Sequence, residues 1–189
     1  VSQIGYMVLG LALFTPLGLV GAVFYLVHHI IVKANLFLIS GISQRMTGSG
    51  ELYRIGGLYA AAPLLAGLFL IPAFSLAGFP PLSGFWAKYV LVKASLDVSF
   101  WFIAGVALLV GLLTIYWAEV FWKADPSGRV PSVPKDGPPL WPCYTAVVFL
   151  AALTIYVGLV PEPFLAFAET AATQLLSPEA YVTAVLGAQ

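Results

Sequence analysis

Apolar residues run almost unbroken through five stretches of this chain, about 3–15, 20–42, 63–96, 99–122 and 141–160, and polar residues gather between them. Runs of this length with few charges predict membrane-spanning helices, because hydrocarbon leaves every backbone group to be satisfied within the segment itself. The first run is a stub. About 12 helical residues reach roughly 18 Å, against about 30 Å of hydrocarbon. Pro16-Leu17-Gly18 then reads as a turn. The stub and the initial Val1 predict that the chain is the C-terminal part of a longer polytopic protein. The polar stretches 43–57 and 123–139 read as loops, and the second is too rich in proline to be helical throughout. After Pro161 the pattern predicts two short helices, about 163–176 and 178–186, with Ser177-Pro178 as cap and first helical residue. Phe164, Phe167, Ala168, Ala171 and Leu175 fall roughly on one side of the first, which predicts an amphipathic helix lying on a membrane face or against a partner subunit. The expected organisation is a transmembrane part over 1–162 and an amphipathic tail over 163–189.

The run 63–96 decides the topology. A helix of that length would reach about 50 Å, too long for one crossing, whereas two crossings need about 40 residues plus a turn. Its middle reads Gly78-Phe79-Pro80-Pro81-Leu82-Ser83-Gly84. Pro80 and Pro81 remove two backbone donors, and Gly78 and Gly84 supply flexibility. The prediction is one crossing made of two half-helices, broken near 78–84. Irregular backbone at that depth is tolerated only where it lines protein or a wet cavity. With one crossing there, loops 43–57 and 123–139 share a side and collect Arg45, Arg54, Lys123, Arg129 and Lys135. The other side has Lys93 near its short loop and a tail with Glu162, Glu169 and Glu179 and no basic residue. The positive-inside rule then puts both basic loops in the cytoplasm and the C-terminus outside.

Composition sharpens this picture. Charged residues make up 8% of the chain, against about 25% in soluble domains, and 61% of residues are hydrophobic. The net charge is zero and the basic residues are scattered, which excludes nucleic-acid binding. The single Cys143 excludes an internal disulfide and a cysteine-based cluster, and reads as a small buried hydrophobe.

Two lysines, Lys33 and Lys88, fall inside membrane runs. A charged amine at that depth costs somewhere between about 3 and 10 kcal/mol unless it faces protein or water, so each marks an ion or proton pathway. Tyr25, His29 and Lys33 recur every four residues and so share a helix face. An imidazole titrates near pH 6.5, and an amine desolvated in a protein interior can approach that range, so such groups can pass a proton through intervening waters. The competing reading is packed core histidines, and it is stronger for His28, on a different face, than for His29. Lys88 lies about one turn into the second half-helix, whose N-terminal, positive dipole end points into the membrane and disfavours an ammonium. The competing reading there is a lysine that snorkels to the interface. Ser75 and Ser83 can bridge waters near the break or merely bond the backbone. Glu119, near Trp117, Trp122 and Lys123, reads as a cytoplasmic interface residue that can also admit protons. A b-type haem does not fit, since both histidines lie on one helix. No cofactor and no metal is expected.

The stretches SQIGYMVLG (2–10), YLVHHIIVKANLFLISG (25–41), LYRIGGLYAAAPLL (52–65) and LAGFPPLSGFWAK (76–88) resemble the antiporter-like membrane subunits shared by respiratory complex I, membrane-bound hydrogenases and Mrp-type sodium/proton antiporters. Within that family, IPAFSLAGFPPLSGFWAKYVLV and QLLSPEAYVTAVLG are most similar to the D-type subunits of the Mrp (Mnh, Pha) group. The resemblance implies an all-α polytopic fold whose last five or so transmembrane helices, one of them broken, are present here, out of about fourteen. It implies Lys33 as a central-relay lysine with His29 beside it, and Lys88 as the broken-helix lysine near the exit of a proton half-channel. Tyr25 stands where some members carry a second histidine. The implied activity is proton translocation coupled to sodium extrusion, in a bacterial inner membrane, alongside other membrane subunits of the same antiporter complex. A proton-pumping subunit of complex I or a hydrogenase is the first alternative, and a structural scaffold with inert, paired lysines is the second. A retinal-type Schiff base on either lysine is the most distant.

Overall fold

The computed structural model describes residues 2–48, 58–116, 139–177 and 179–187. Those residues form nine helices and no strand. They are α1 (Ser2–Leu13), α2 (Pro16–Thr47), α3 (Leu58–Ala61), α4 (Pro63–Ala77), α5 (Ser83–Asp97), α6 (Trp101–Tyr116), α7 (Trp141–Leu159), α8 (Glu162–Leu176) and α9 (Glu179–Leu186).

The 32-residue helix α2 is the axis of the bundle, and α1, α4, α5, α7 and α8 all pack on it. At 1.5 Å per residue it is about 48 Å long. Its start corrects the turn expected at Pro16–Gly18. Thr15 is the N-cap, its hydroxyl accepting the Gly18 N–H at 3.0 Å, and Pro16 opens the first turn, where a missing N–H costs nothing. Its end corrects the polar loop expected from 43. The helix runs on to Thr47 and closes on Gly48 in the left-handed region, φ 70°.

The buried stripe of α2 is Gly18, Gly21, Tyr25, His28, Val32, Asn35, Ile39, Ile42 and Met46. The steps alternate three and four, a 3.5-residue period that keeps one seam facing its neighbours. Tyr25, His29 and Lys33 therefore do not share an environment. A step of four overshoots a turn by about 40°, so the row drifts off the seam. Tyr25 is buried, while His29 and Lys33 are half-buried.

Two apolar clusters sit along α2. The first gathers Leu19, Val20, Phe24 and Tyr25 with Tyr6, Leu91, Val157 and Ala168. The second gathers Ile39, Ile42 and Met46 with Leu65, Phe69 and Val147, and the half-buried Cys143 packs against it. His28 and Asn35 fall between them, at the mid-depth of the helix. The outer surface is apolar: Phe102 is 83% exposed, Phe37 73%, and Leu112 and Phe149 66% each. Gln3, His28, Asn35, Ser75, Ser83 and Lys88 are inside. Polar groups within and large apolar groups without is the arrangement hydrocarbon demands. Among the described residues, two helices, Pro16–Thr47 and Trp141–Leu159, are long and apolar enough to cross a membrane unaided.

The third run is broken as its glycines and prolines foretell. Helix α4 ends on Gly78, whose φ of 90° only glycine adopts freely, and whose N–H bonds the carbonyls of Phe74 and Ser75 at 3.0 Å each. Helix α5 starts at Ser83. Each half is about 22 Å long, short of the hydrocarbon thickness, so the two halves make one crossing between them. Helix α7 backs onto the break. Its Gly158 lies against the backbone of Pro81 and Leu82, and the Trp86 indole donates to the Gly158 carbonyl at 2.8 Å.

The tail differs from the stripe expected of it. Helix α8 docks on α2 of the same chain, burying Ala168 and Ala172, with Phe164, Leu165 and Leu176 partly covered. Small residues let the two backbones approach. Phe167 and Leu175 point away, 60% and 59% exposed.

A Cβ at Gly84 would overlap the Ser75 carbonyl and lie 3.0 Å from the His28 ring. Gly84→Ala is expected to destabilise the protein by about 2 kcal/mol or more, whereas Gly41→Ala, with nothing within 4 Å, should shift stability by less than about 1 kcal/mol. Thermal unfolding of the two variants in detergent checks this, and equal stability would contradict the packing of the half-helices.

Candidate proton site at the helix break

Breaking a helix inside a membrane leaves the last carbonyls of α4 without partners. Lys88 supplies one. Its amine reaches back across the break and donates to the carbonyls of Leu76 at 2.6 Å and Ala77 at 3.0 Å. The amine thus also meets the negative end of the α4 dipole, a contribution that a reading of α5 alone leaves out. The stem of Lys88 needs the room that Gly78 leaves, since a Cβ there would come within 2.8 Å of Cδ. The amine also lies 4.9 Å from the centre of the Tyr6 ring, within cation–π range. Lys88 does not snorkel; it is 7% exposed and lines a cavity of about 350 Å³ with Ala77, Gly78, Tyr89 and Gly111.

On the other side of the break, His28 Nδ1 lies 2.8 Å from Ser83 Oγ. Ser83 Oγ lies 3.2 Å from Ser75 Oγ, and Ser75 Oγ accepts the Gly84 N–H at 3.2 Å. The two serines thus bond each other and the first turn of α5, and tie it to α2. An aromatic row joins this cluster to the amine. Tyr25 meets His28 edge-on, ring centres 5.5 Å apart, and stacks on Tyr6 at 5.1 Å with only 10° between planes. The Tyr6 hydroxyl donates to the Ala107 carbonyl, and the Tyr25 hydroxyl donates to Gln3 Oε1. Gln3 Nε2 reaches Thr114 Oγ1 at 3.4 Å. Lys88, Tyr6, Tyr25, His28, Ser83 and Ser75 therefore form one contiguous line of groups that bear or bind protons.

The structure brings Lys88, Tyr25, His28, Ser75 and Ser83 together. It does not bring in His29 and Lys33, which lie half-buried around the helix, with the Lys33 amine 5.8 Å over the Phe37 ring. The histidine at the break is His28, where the spacing argument gave more weight to His29. Glu119, with Trp117 and Lys123, lies outside the described residues. Sequence reasoning missed Gln3 and Tyr6, polar groups three apart in the short first helix. It also missed Asn35, seven residues on from His28 and so on the same face.

Polar groups inside, a discontinuous helix and an amine across the break define a membrane-embedded helical bundle with a polar interior. The chain belongs to the NADH:quinone oxidoreductase/Mrp antiporter transmembrane family, whose profile matches residues 1–114. It is 44% identical to the D-type Na(+)/H(+) antiporter subunit of Alkalihalophilus pseudofirmus over 98% of its own length and 38% of that protein's. It is 30% identical to the N-type NADH-quinone oxidoreductase subunit of Heliobacterium modesticaldum over 93% of its length and 37% of that protein's. Its fold matches a chain of the Mrp complex from a Dietzia species with a TM-score of 0.79 and 32% identity, over 98% of this chain and 43% of that one.

Ser83→Ala removes the partner of His28 Nδ1 and should cost about 1–3 kcal/mol. Ser95→Ala loses only a bond to the Leu91 carbonyl within its own helix and should cost markedly less. Comparison of their unfolding midpoints measures the difference.

Proposed function

We propose that this chain is part of a D-type subunit of a multi-subunit Na+/H+ antiporter and carries protons across a bacterial inner membrane. One observation carries the reading: the Lys88 amine lies buried in the break of a membrane helix, bonded to carbonyls, on a line of tyrosine, histidine and serine. Lys88 takes up and releases protons there, with His28, Ser75, Ser83 and intervening waters on one side and the cavity by Gly111 on the other. His29 and Lys33, half-buried on the next face of α2, extend the relay toward the remainder of the subunit. Protonation of one group lowers the proton affinity of its neighbour, the more so as the local dielectric falls. The basic segments 43–57 and 123–139 face the cytoplasm and the C-terminus faces outward, by the bias of basic residues. The other membrane subunits of the complex couple this proton flow to sodium, and the chain itself is no enzyme.

A second reading has one specific support, the identity to a quinone-oxidoreductase subunit. In that case the same line is driven by electron transfer in partner subunits.

Lys88→Ala in the complete antiporter is expected to abolish sodium-dependent proton movement in everted vesicles while the complex still assembles. Unchanged transport would instead support an inert scaffold, and transport that follows electron donors in place of sodium would support the second reading.

A further inference from the structure

We propose that the cavity between α5 and α6 binds a long-chain fatty acid drawn from the bilayer, with its carboxylate on the Lys88 amine and its chain leading out into lipid. This binding does not depend on Lys88 carrying protons. An ammonium has three N–H donors. Two of those of Lys88 meet the carbonyls of Leu76 and Ala77, at 2.6 and 3.0 Å. Among the described residues the amine makes no third hydrogen bond and no ion pair with a carboxylate. The Tyr6 ring, its centre 4.9 Å away, attracts the cation through its face but supplies no anion. A buried ammonium without a counter-ion is costly, so an incoming carboxylate finds a donor and a charge to meet.

The cavity has the form of a ligand site. Its volume is about 350 Å³, within the range of roughly 300–1,000 Å³ usual for such sites, which are mostly apolar with a few placed polar groups. Here the amine is the polar group. Lys88 and Gly111, both buried, stand at the inner end. Gly111 leaves the amine open to the cavity, since a Cβ there would lie 3.1 Å from Nζ. Tyr89, Leu108 and Leu112 form the outer end and are 49%, 57% and 66% exposed. The slot thus runs from a buried cation to the apolar surface of the bundle.

Depth selects the guest. The amine is bonded at the break, between two half-helices that share one crossing, and so lies well inside the hydrocarbon. A phospholipid phosphate keeps its charge and stays at the interface. A carboxylic acid sheds its charge by taking up a proton and can descend through hydrocarbon as the neutral acid. When it meets a neutral amine, the O–H proton passes from oxygen to nitrogen and leaves a carboxylate–ammonium pair of zero net charge. The exposed rim is apolar apart from the Tyr89 hydroxyl, which suits a single acyl chain running past it. A water-soluble carboxylate has no such route to the amine.

The experiment uses the complete antiporter complex in phosphatidylcholine vesicles and palmitic acid carrying a diazirine at mid-chain. Illumination should attach the probe at Tyr89, Leu108 or Leu112, located by mass spectrometry of the digested chain. Excess palmitate should displace it and hexadecanol should not. Lys88→Gln keeps a donor at the break but no charge, and should lower labelling at those residues about tenfold, because a charge-assisted bond becomes a neutral one. Leu112→Trp narrows the mouth and should lower labelling with the amine intact. If Lys88→Gln fails to assemble, the competition between palmitate and hexadecanol still decides. Equal displacement by hexadecanol, or labelling that Lys88→Gln leaves unchanged, means a slot that any chain fills and overturns the proposal. Absence of label from α5 and α6, the result if another part of the complex covers the mouth, also overturns it. So does stronger labelling there by a diazirine-bearing phosphatidylglycerol. None of these results bears on transport by the Lys88→Ala variant, so this inference and the proton-carrying reading fail separately.

Discussion

Hydrocarbon supplies no hydrogen bonds, so a helix interrupted within it must have its loose ends satisfied by the protein. The join between α4 and α5 is built on that constraint. Gly78 turns the chain and returns one N–H to α4, and the Lys88 amine takes two of the carbonyls left over. Ser75 receives the first-turn N–H of Gly84. Two of the side chains that make the break tolerable, Lys88 and Ser75, are an amine and a hydroxyl, the groups on which the proposed relay rests. A helix with no break would need none of them.

The rest of the bundle protects this arrangement. Two apolar clusters close off α2 above and below its polar middle, and α7 and α8 pack close through Gly158, Ala168 and Ala172. His28 and Asn35 lie between them. The aromatic stack of Tyr6 and Tyr25, in the first cluster, spaces His28 from Lys88. The cavity beside Lys88 opens between α5 and α6, where Gly111 leaves room: a Cβ there would lie 3.1 Å from the amine.

The broken helix was legible in the sequence because its cause is local. Two prolines and two glycines in seven residues cannot form a continuous helix, and the length of the run admits only one crossing. Lys88 was legible for the same reason, since its position is fixed relative to the break. What it touches was not. That depends on which half-helix the flexible stem reaches, and the sequence around Lys88 says nothing of the α4 carbonyls. The choice between His28 and His29 depended on the seam of α2. A spacing of four looked like a shared face, but packing against several neighbours selects a 3.5-residue period, and this turns His28 inward. Asn35 was overlooked beside Lys33 because a neutral amide raises no alarm in hydropathy. Gln3 and Tyr6 matter through contacts with α2, α5 and α6 that span about a hundred residues of sequence. The stripe expected of the tail took in Phe164 and Ala168, which do dock, but its Phe167 and Leu175 stay exposed and Ala172 takes their place against α2.

The account turns on Lys88 changing its charge state at the break. Nitrogen-15 resonance of the Lys88 amine in the complete complex, in lipid and under an imposed proton gradient, reads that state directly. Two forms, ammonium and neutral amine, in a ratio that follows the gradient are the predicted result. A single ammonium signal, unmoved by the gradient while transport proceeds, would mean that Lys88 is only a cap on α4.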